Sequence, residues 1–352
     1  MASGLVISVD GMGGDHAPDA VLDGIEIAAR KSPGARFLIH GPAGRLTPML
    51  ETRPAAKAAS EVRNAEKFVS MEVKPSQALR QGKGTSMWNA LVSVEEGEAQ
   101  ACVSAGNTGA LMAMAMMRLR RMEGVHRPAL IASWPTAKGF AAVLDVGANV
   151  EADASQLVEF AIMGEAFHRA VRGSKRPTVG LLNVGSEDQK GHEEIRSAAR
   201  LIREADLDLE FHGFVEGDDI SKGTVDVVVT DGFTGNIAIK TAEGTARLVA
   251  GFLREALTGG PLARVGALLA LPALRKLKER MDPRTVNGAV FLGLNGIVVK
   301  SHGGTDGEGY AAAIDVAIRM AKSHYREEVV ANLARLSVAS TLPPQAAAPG
   351  MS

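Results

Sequence analysis

The stretch Ala101-Cys-Val-Ser-Ala-Gly-Asn-Thr-Gly-Ala-Leu-Met-Ala-Met-Ala-Met-Met-Arg-Leu-Arg120 decides the fold class. Its first four residues are apolar or small, the length of a strand buried on both faces. A glycine turn follows, and the chain passes at once into an Ala- and Met-rich run of helical length, Thr108–Arg120. Working outward, the same order recurs. Strands are expected at Leu5–Val9, Phe37–His40, Ala129–Trp134, Ala141–Asp145, Thr178–Asn183, Leu209–Gly213, Val225–Thr230 and Gly296–Lys300. Helices are expected at Asp19–Lys31, Met87–Glu96, Asp153–Arg172, Glu193–Glu204, Gly235–Leu257 and Glu308–Val330. Short β-rich runs alternating with longer helical ones are the mark of βαβ units, so the class is α/β with buried parallel strands.

Composition narrows the function. The 352 residues carry 39 Lys+Arg against 40 Asp+Glu, a net charge of −1, which excludes a nucleic-acid binder that relies on bulk positive charge. Apolar residues at 46% and aromatics at 4% indicate a globular protein with an aliphatic core. The single cysteine, Cys102, lies in an apolar strand and reads as a packed, inert thiol. No Cys/His cluster has zinc spacing, neither a metal nor a cofactor is called for, and a reducing cytoplasm fits. No apolar stretch reaches the roughly 20 residues that span a bilayer, Val265–Leu274 being interrupted by Pro272. Residues 1–335 read as one α/β domain and 336–352, rich in Pro and Ala, as a disordered tail.

Six expected strand ends turn on glycine with a small polar residue beside it: Asp10-Gly-Met-Gly-Gly-Asp15, Ser104–Gly109, Asp145–Asn149, Asn183–Gly191, Asp231–Asn236 and Ser301–Thr305. In open α/β sheets ligands bind at the carboxyl edge, where such loops converge and helix N-termini offer N–H groups. Neither G-x-G-x-x-G nor a P-loop is present, so the loops suit a small anion of phosphate size rather than a dinucleotide.

The ordered set Asp10-Gly-Met-Gly-Gly-Asp-His-Ala-Pro18, Val103–Leu111, Asp145–Asn149, Leu182–Gly191, Phe214–Ile220, Asp226–Asn236 and Leu292–Gly303 resembles the bacterial PlsX phosphate acyltransferases. The resemblance runs from about residue 5 to 330, with Ser186 standing where the family's loop usually has an acidic residue. It implies a three-layer α/β/α sandwich on a largely parallel sheet, similar to the isocitrate/isopropylmalate dehydrogenase and phosphotransacetylase folds. It also implies a homodimer that moves a long-chain acyl group from acyl carrier protein (ACP) to inorganic phosphate. The acyl phosphate then feeds phospholipid synthesis through an integral acyl-phosphate glycerol-3-phosphate acyltransferase. The expected place is the cytoplasmic face of the cell membrane, with peripheral attachment.

Phosphate is already partly dianionic near neutral pH, and a thiolate leaves without obligatory protonation, so no Ser/His/Asp triad is needed. Lys190 is the first catalytic candidate, for binding phosphate and stabilising charge; alone it reads more readily as a solvated helix-start lysine, and the resemblance reverses that in favour of the active-site reading. Asn236 is the second, its amide donating to an oxyanion from a turn over Gly232–Gly235, with N-capping as the plain alternative. Gly13, Gly14, Asn107, Thr108, His16 and Gly235 are substrate-binding candidates, and His16 and His302 are weak candidates for an acid or base. Asp10, Asp15, Asp145 and Asp231 read as loop caps rather than metal ligands.

Residues 258–284 have an apolar front and a basic end, so Leu268, Leu269, Leu271 and Leu274 are expected to enter a bilayer interface or pack in a dimer. Arg118, Arg120, Arg121 and Arg127 are candidates for docking acidic ACP. Two other readings stay open: a short-chain acyl-CoA phosphotransacylase, which would not need the amphipathic segment, and a membrane-attached ACP-binding scaffold without activity.

Overall fold

A computed structural model describes residues 4–205, 207–280 and 282–341. Eleven strands form one sheet: β1 Val6–Asp10, β2 Arg36–Gly41, β3 Ser60–Asn64, β4 Ala101–Ser104, β5 Ala129–Thr136, β6 Gly139–Leu144, β7 Thr178–Leu182, β8 Glu210–Val215, β9 Val227–Val229, β10 Ala289–Leu292 and β11 Ile297–Lys300. The helices are α1 Asp19–Lys31, α2 Ala43–Leu50, α3 Pro54–Ala59, α4 Pro75–Gln81, α5 Ser86–Glu95, α6 Thr108–Leu119, α7 Ala154–Arg172, α8 Glu193–Glu204, α9 Gly217–Lys222, α10 Gly232–Thr258, α11 Pro261–Arg280, α12 Gly307–Lys322 and α13 Tyr325–Thr341.

The strand order is β3-β2-β1-β4-β11-β10-β5-β6-β9-β7-β8. Successive residues face opposite sides, as the pleat requires. Val227 and Val229 belong to the core cluster that also holds α1, α7, α8 and α12 residues, whereas Val228 belongs to the one that holds α5, α6 and α9 residues. Helices therefore cover both faces, and the fold is the expected α/β sandwich.

Pairing is parallel except at three contacts, β10 with β11, β10 with β5, and β5 with β6. The last is a hairpin: only Ala137 and Lys138 separate the strands, too few for a crossover, and Gly139 supplies the positive φ of the turn. This hairpin reverses the chain, so β6 to β10 run against β1 to β5 and β11. One sheet thus holds two parallel halves of opposite direction.

Local chemistry sets the ends of the helices. Asp153 and Gln156 form a capping box at α7, and Gly173 closes it in the left-handed conformation. Three expectations need correction. The run expected as a helix over Glu308–Val330 breaks at Ser323, whose hydroxyl bonds the Met320 carbonyl and diverts the backbone. Helix α10 begins at Gly232 rather than Gly235, because Asp231 accepts the Thr234 amide and caps it there. Finally, α13 continues through 336–341, residues expected to belong to the disordered tail; 342–352 lie outside the described residues.

Candidate active site

The hairpin divides the six glycine loops. Those after β1, β4 and β11 lie at one edge of the sheet, and those after β6, β7 and β9 lie at the other. Strand lengths of three to six residues put the edges roughly 10–20 Å apart. A single convergent site was the sequence expectation, and within one chain the strand directions do not support it. Gly13, Gly14, His16, Asn107, Thr108 and His302 are on the first edge, and Lys190, Gly235 and Asn236 on the second.

The first edge is organised by buried charge. Asp10, at the end of β1, accepts from Ser86 Oγ at 2.6 Å, Ser104 Oγ at 2.7 Å and the Met12 amide. Burial raises its carboxyl pKa, and the two hydroxyls oppose that shift. Lys300, ending β11, donates to the carbonyls of Ala105 and Ser301, tying the second loop to the third. Burial pushes its ammonium down to about 8. A side chain on Gly13 would strike Asp10 Oδ2 and the Gly106 amide, which is why this turn needs glycine. Asn107 is fully used in structure: its Oδ1 caps α6 through the Ala110 amide, and its Nδ2 donates to the carbonyls of Met71 and Val73. Thr108 and His16 are exposed.

The second edge is built on Asp145. Its Oδ1 accepts from the amides of Leu130, Gly147 and Ala148, and its Oδ2 from the amide and side chain of Asn149. The capping role expected for this aspartate is therefore what it performs, with both oxygens engaged. Asn149 in turn accepts the Gly232 amide at 2.8 Å, which locks the first turn of α10 against the loop. Asn236 sits one turn further, its side chain on the α-carbon of Gly147. The cap of α10 is Asp231, so Asn236 is not the N-cap. Among the described residues its half-buried amide has no hydrogen-bond partner.

Lys190 stands at the neighbouring strand end, since β7 pairs directly with β9. Asn183, buried at the end of β7, donates from Nδ2 to the Lys190 carbonyl at 3.0 Å. The Lys190 side chain crosses Gly185, where a Cβ would lie 2.5 Å from its Cδ, and its ammonium pairs with Glu187 at 2.8 Å. That hydrogen bond raises the lysine pKa. Half exposed, the ammonium is held at the surface, open to an anion.

The arginines divide as well. Arg118 is paired with Glu95 and stacked 5.2 Å over Trp88, so it is engaged in packing. Arg120, Arg121 and Arg127 are exposed. They lie around the start of β5 and the end of β10, on the same edge as Asp145: Arg121 bridges to Leu294, and Asn149 Nδ2 donates to Pro128, next to Arg127.

Sequence reading missed the roles of Ser86, Asn183 and Lys300. Asn183 and Lys300 stand at strand ends beside glycine loops, a signal that was present. Ser86 opens α5 and reaches Asp10 only through the fold.

A sheet of two opposed parallel halves, covered by helices and ended by glycine loops, defines an α/β protein of phosphotransacetylase-like fold. A phosphotransacetylase from Streptococcus pyogenes superposes with a TM-score of 0.61 at 16% identity, covering 91% of this chain and 95% of that one. A 4-hydroxythreonine-4-phosphate dehydrogenase from Klebsiella pneumoniae superposes with a TM-score of 0.52 at 16% identity, covering 91% and 100%. The chain belongs to the fatty acid synthesis protein family, whose profile matches residues 5–328; this is the PlsX family of acyltransferases. Phosphate acyltransferase of Caulobacter vibrioides is 62% identical over 337 residues, 96% of this chain and 94% of that protein.

Proposed function

We propose that this acyltransferase moves a long-chain fatty acyl group from ACP to inorganic phosphate, with Lys190 and Asn236 at the reacting centre. The observation that carries the site is the Asp145 scaffold, which places the unpartnered amide of Asn236 beside the strand end that bears Lys190. Lys190 attracts and orients phosphate. A phosphate oxygen attacks the thioester carbonyl, the C–S bond breaks, and the electron pair leaves on the carrier thiolate. Asn236 donates to the carbonyl oxygen while it carries negative charge. The exposed arginines 120, 121 and 127 supply a basic surface on the same edge for an acidic carrier.

Attachment to the cytoplasmic membrane face and dimer formation belong to the same reading, as does hand-over of acyl phosphate to a membrane acyltransferase. Their support is the α10–α11 pair. No single helix among the described residues is long and apolar enough to cross a membrane, and the chain turns through 116° between the two. Leu268 and Leu269 are 70% and 80% exposed, Leu271 is exposed, and Leu274 is half-buried. Arg275 and Lys276 follow them, exposed; the side chains of Lys278 and Arg280 lie outside the described residues.

The test is incubation with palmitoyl-ACP, with and without phosphate, following free ACP thiol and acyl phosphate trapped by hydroxylamine. Phosphate-dependent release of both supports the function. Equal release with palmitoyl-CoA argues against the carrier, and no release argues for a scaffold.

A further inference from the structure

Four large apolar side chains stand exposed on the edge that carries Lys190 and Asn236. Val150 and Val184 are 72% and 75% exposed, and Phe233 and Ile237 are 60% and 48% exposed. Each is one or two residues from a contact that builds the site. Val150 follows Asn149, which accepts the Gly232 amide; Phe233 follows Gly232. Ile237 adjoins Asn236 and lies four residues from Phe233, on the same face of α10. Val184 follows Asn183, which holds the Lys190 carbonyl.

Strand-end loops normally place polar residues toward water, and a group of exposed apolar side chains is a mark of a binding surface. Here the apolar residues share a sheet edge with polar ones: an amide and an ammonium, with valines, a phenylalanine and an isoleucine on the same loops and first helical turns. A ligand that fits has an anionic or carbonyl head and an aliphatic body. We infer that Val150, Val184, Phe233 and Ile237 form an apolar rim that receives the first methylenes of the donor's acyl chain and so sets chain-length preference.

This inference rests on the acyl-transfer reading above and adds the place of the chain. The thioester carbonyl must lie within hydrogen-bond reach of Asn236 when it reacts. Its α, β and γ carbons are then held within a few bond lengths of that amide, where the rim residues are. Each methylene taken from water should raise kcat/KM by about twofold to fourfold until the rim is covered.

The experiment measures kcat/KM at saturating phosphate for acetyl-, butyryl-, octanoyl- and palmitoyl-ACP. It compares the wild-type enzyme with Val184→Asn and Ile237→Asn, and with Val184→Ile and Ile237→Leu as conservative controls. The expected result is a steep rise from acetyl to octanoyl in the wild-type and conservative variants. In the Asn variants that rise flattens, with about tenfold loss on octanoyl and less than twofold on acetyl. Equal loss on every donor, or no loss on any, overturns the rim. So does a changed oligomeric state by light scattering with an unchanged chain-length profile, which would assign the face to a second copy of the chain. If the wild-type enzyme shows no phosphate-dependent release at all, the acyl-transfer reading falls first. An active wild-type enzyme with unaltered variants removes the rim alone.

Discussion

The α-carbon of Gly235 lies against the backbone carbonyl of Asp145, so close that a Cβ on Gly235 would sit 2.0 Å from that oxygen. The contact joins the end of β6 to the first turn of α10 and sets where Asn236 stands. Gly235, a substrate-binding candidate by sequence, has a spacing role in the structure. Replacing Gly235 with Ala must push α10 outward, since backbone cannot yield as a flexible side chain can. A loss of about 100-fold in kcat is expected from misplacing Asn236. A destabilisation of about 1–3 kcal/mol in urea unfolding should accompany it.

Asn236→Ala removes a donor without touching the Asp145 scaffold. Expected is a fall of about 100- to 1,000-fold in kcat, the usual size for one oxyanion donor, with KM for phosphate nearly constant. An unchanged kcat would move the oxyanion site elsewhere.

Lys190→Ala and Asn183→Ala should separate charge from position. The first removes the ammonium, raises KM for phosphate about tenfold or more, and leaves the melting temperature unchanged because the side chain is half exposed. The second leaves the ammonium but frees the Lys190 carbonyl, and should cost about 1–3 kcal/mol of stability from a broken buried hydrogen bond. Because Lys190 remains charged, Asn183→Ala should retain more phosphate affinity than Lys190→Ala. Equal phosphate KM values would argue that the loop, not the charge, binds phosphate.

Lys300 makes stability depend on alkaline pH. Its folded value is about 8, against an ordinary 10.5, because burial disfavours the ammonium. Between these values the unfolded chain holds this proton and the folded chain does not, so stability contributed by the group rises as pH increases from about 8 to 10.5. The gap corresponds to about 3 kcal/mol. In Lys300→Met that slope disappears, so the wild-type advantage over the variant should grow by about this amount across the window. Urea unfolding of both proteins at several pH values measures it, and a constant difference would show that Lys300 titrates normally.

The double substitution Leu268→Glu/Leu271→Glu places two charges on the exposed apolar run of α11. Flotation with anionic vesicles should show most of the wild-type protein bound and the bound fraction falling at least tenfold in the variant, because each charge opposes insertion. Solution activity with soluble ACP donors should stay within about twofold, since α11 carries none of the proposed reacting groups. Unchanged flotation would count against a membrane role for this helix.

Much of the candidate site is legible residue by residue. Asp145, Asn183, Asp231 and the glycines mark strand ends, because turns and caps are decided within a few residues of chain. The polar strand β3 was not seen, since its alternating exposure as an edge strand gives little apolar signal. The direction of β6 is legible: two residues between Thr136 and Gly139 demand a hairpin, whereas the return of β11 to the direction of β1 to β5 has no local signal. The bond of Ser86 to Asp10 spans 76 positions and has no local signature.

By itself the sequence determines the strand, turn and helix units, the family, and which residue types stand at strand ends, because each depends on short-range periodicity or on motifs read in order. Which loops share an edge is a different matter. Gly13 and Asn107 lie together, and Asn236 and Lys190 lie together, but the two groups are parted by the length of the strands, because β6 turns back on β5 and the two halves meet where β10 pairs antiparallel with β5. That pairing joins segments separated by more than 150 residues, and it depends on side chains meeting across the finished sheet. Only the tertiary structure could decide it.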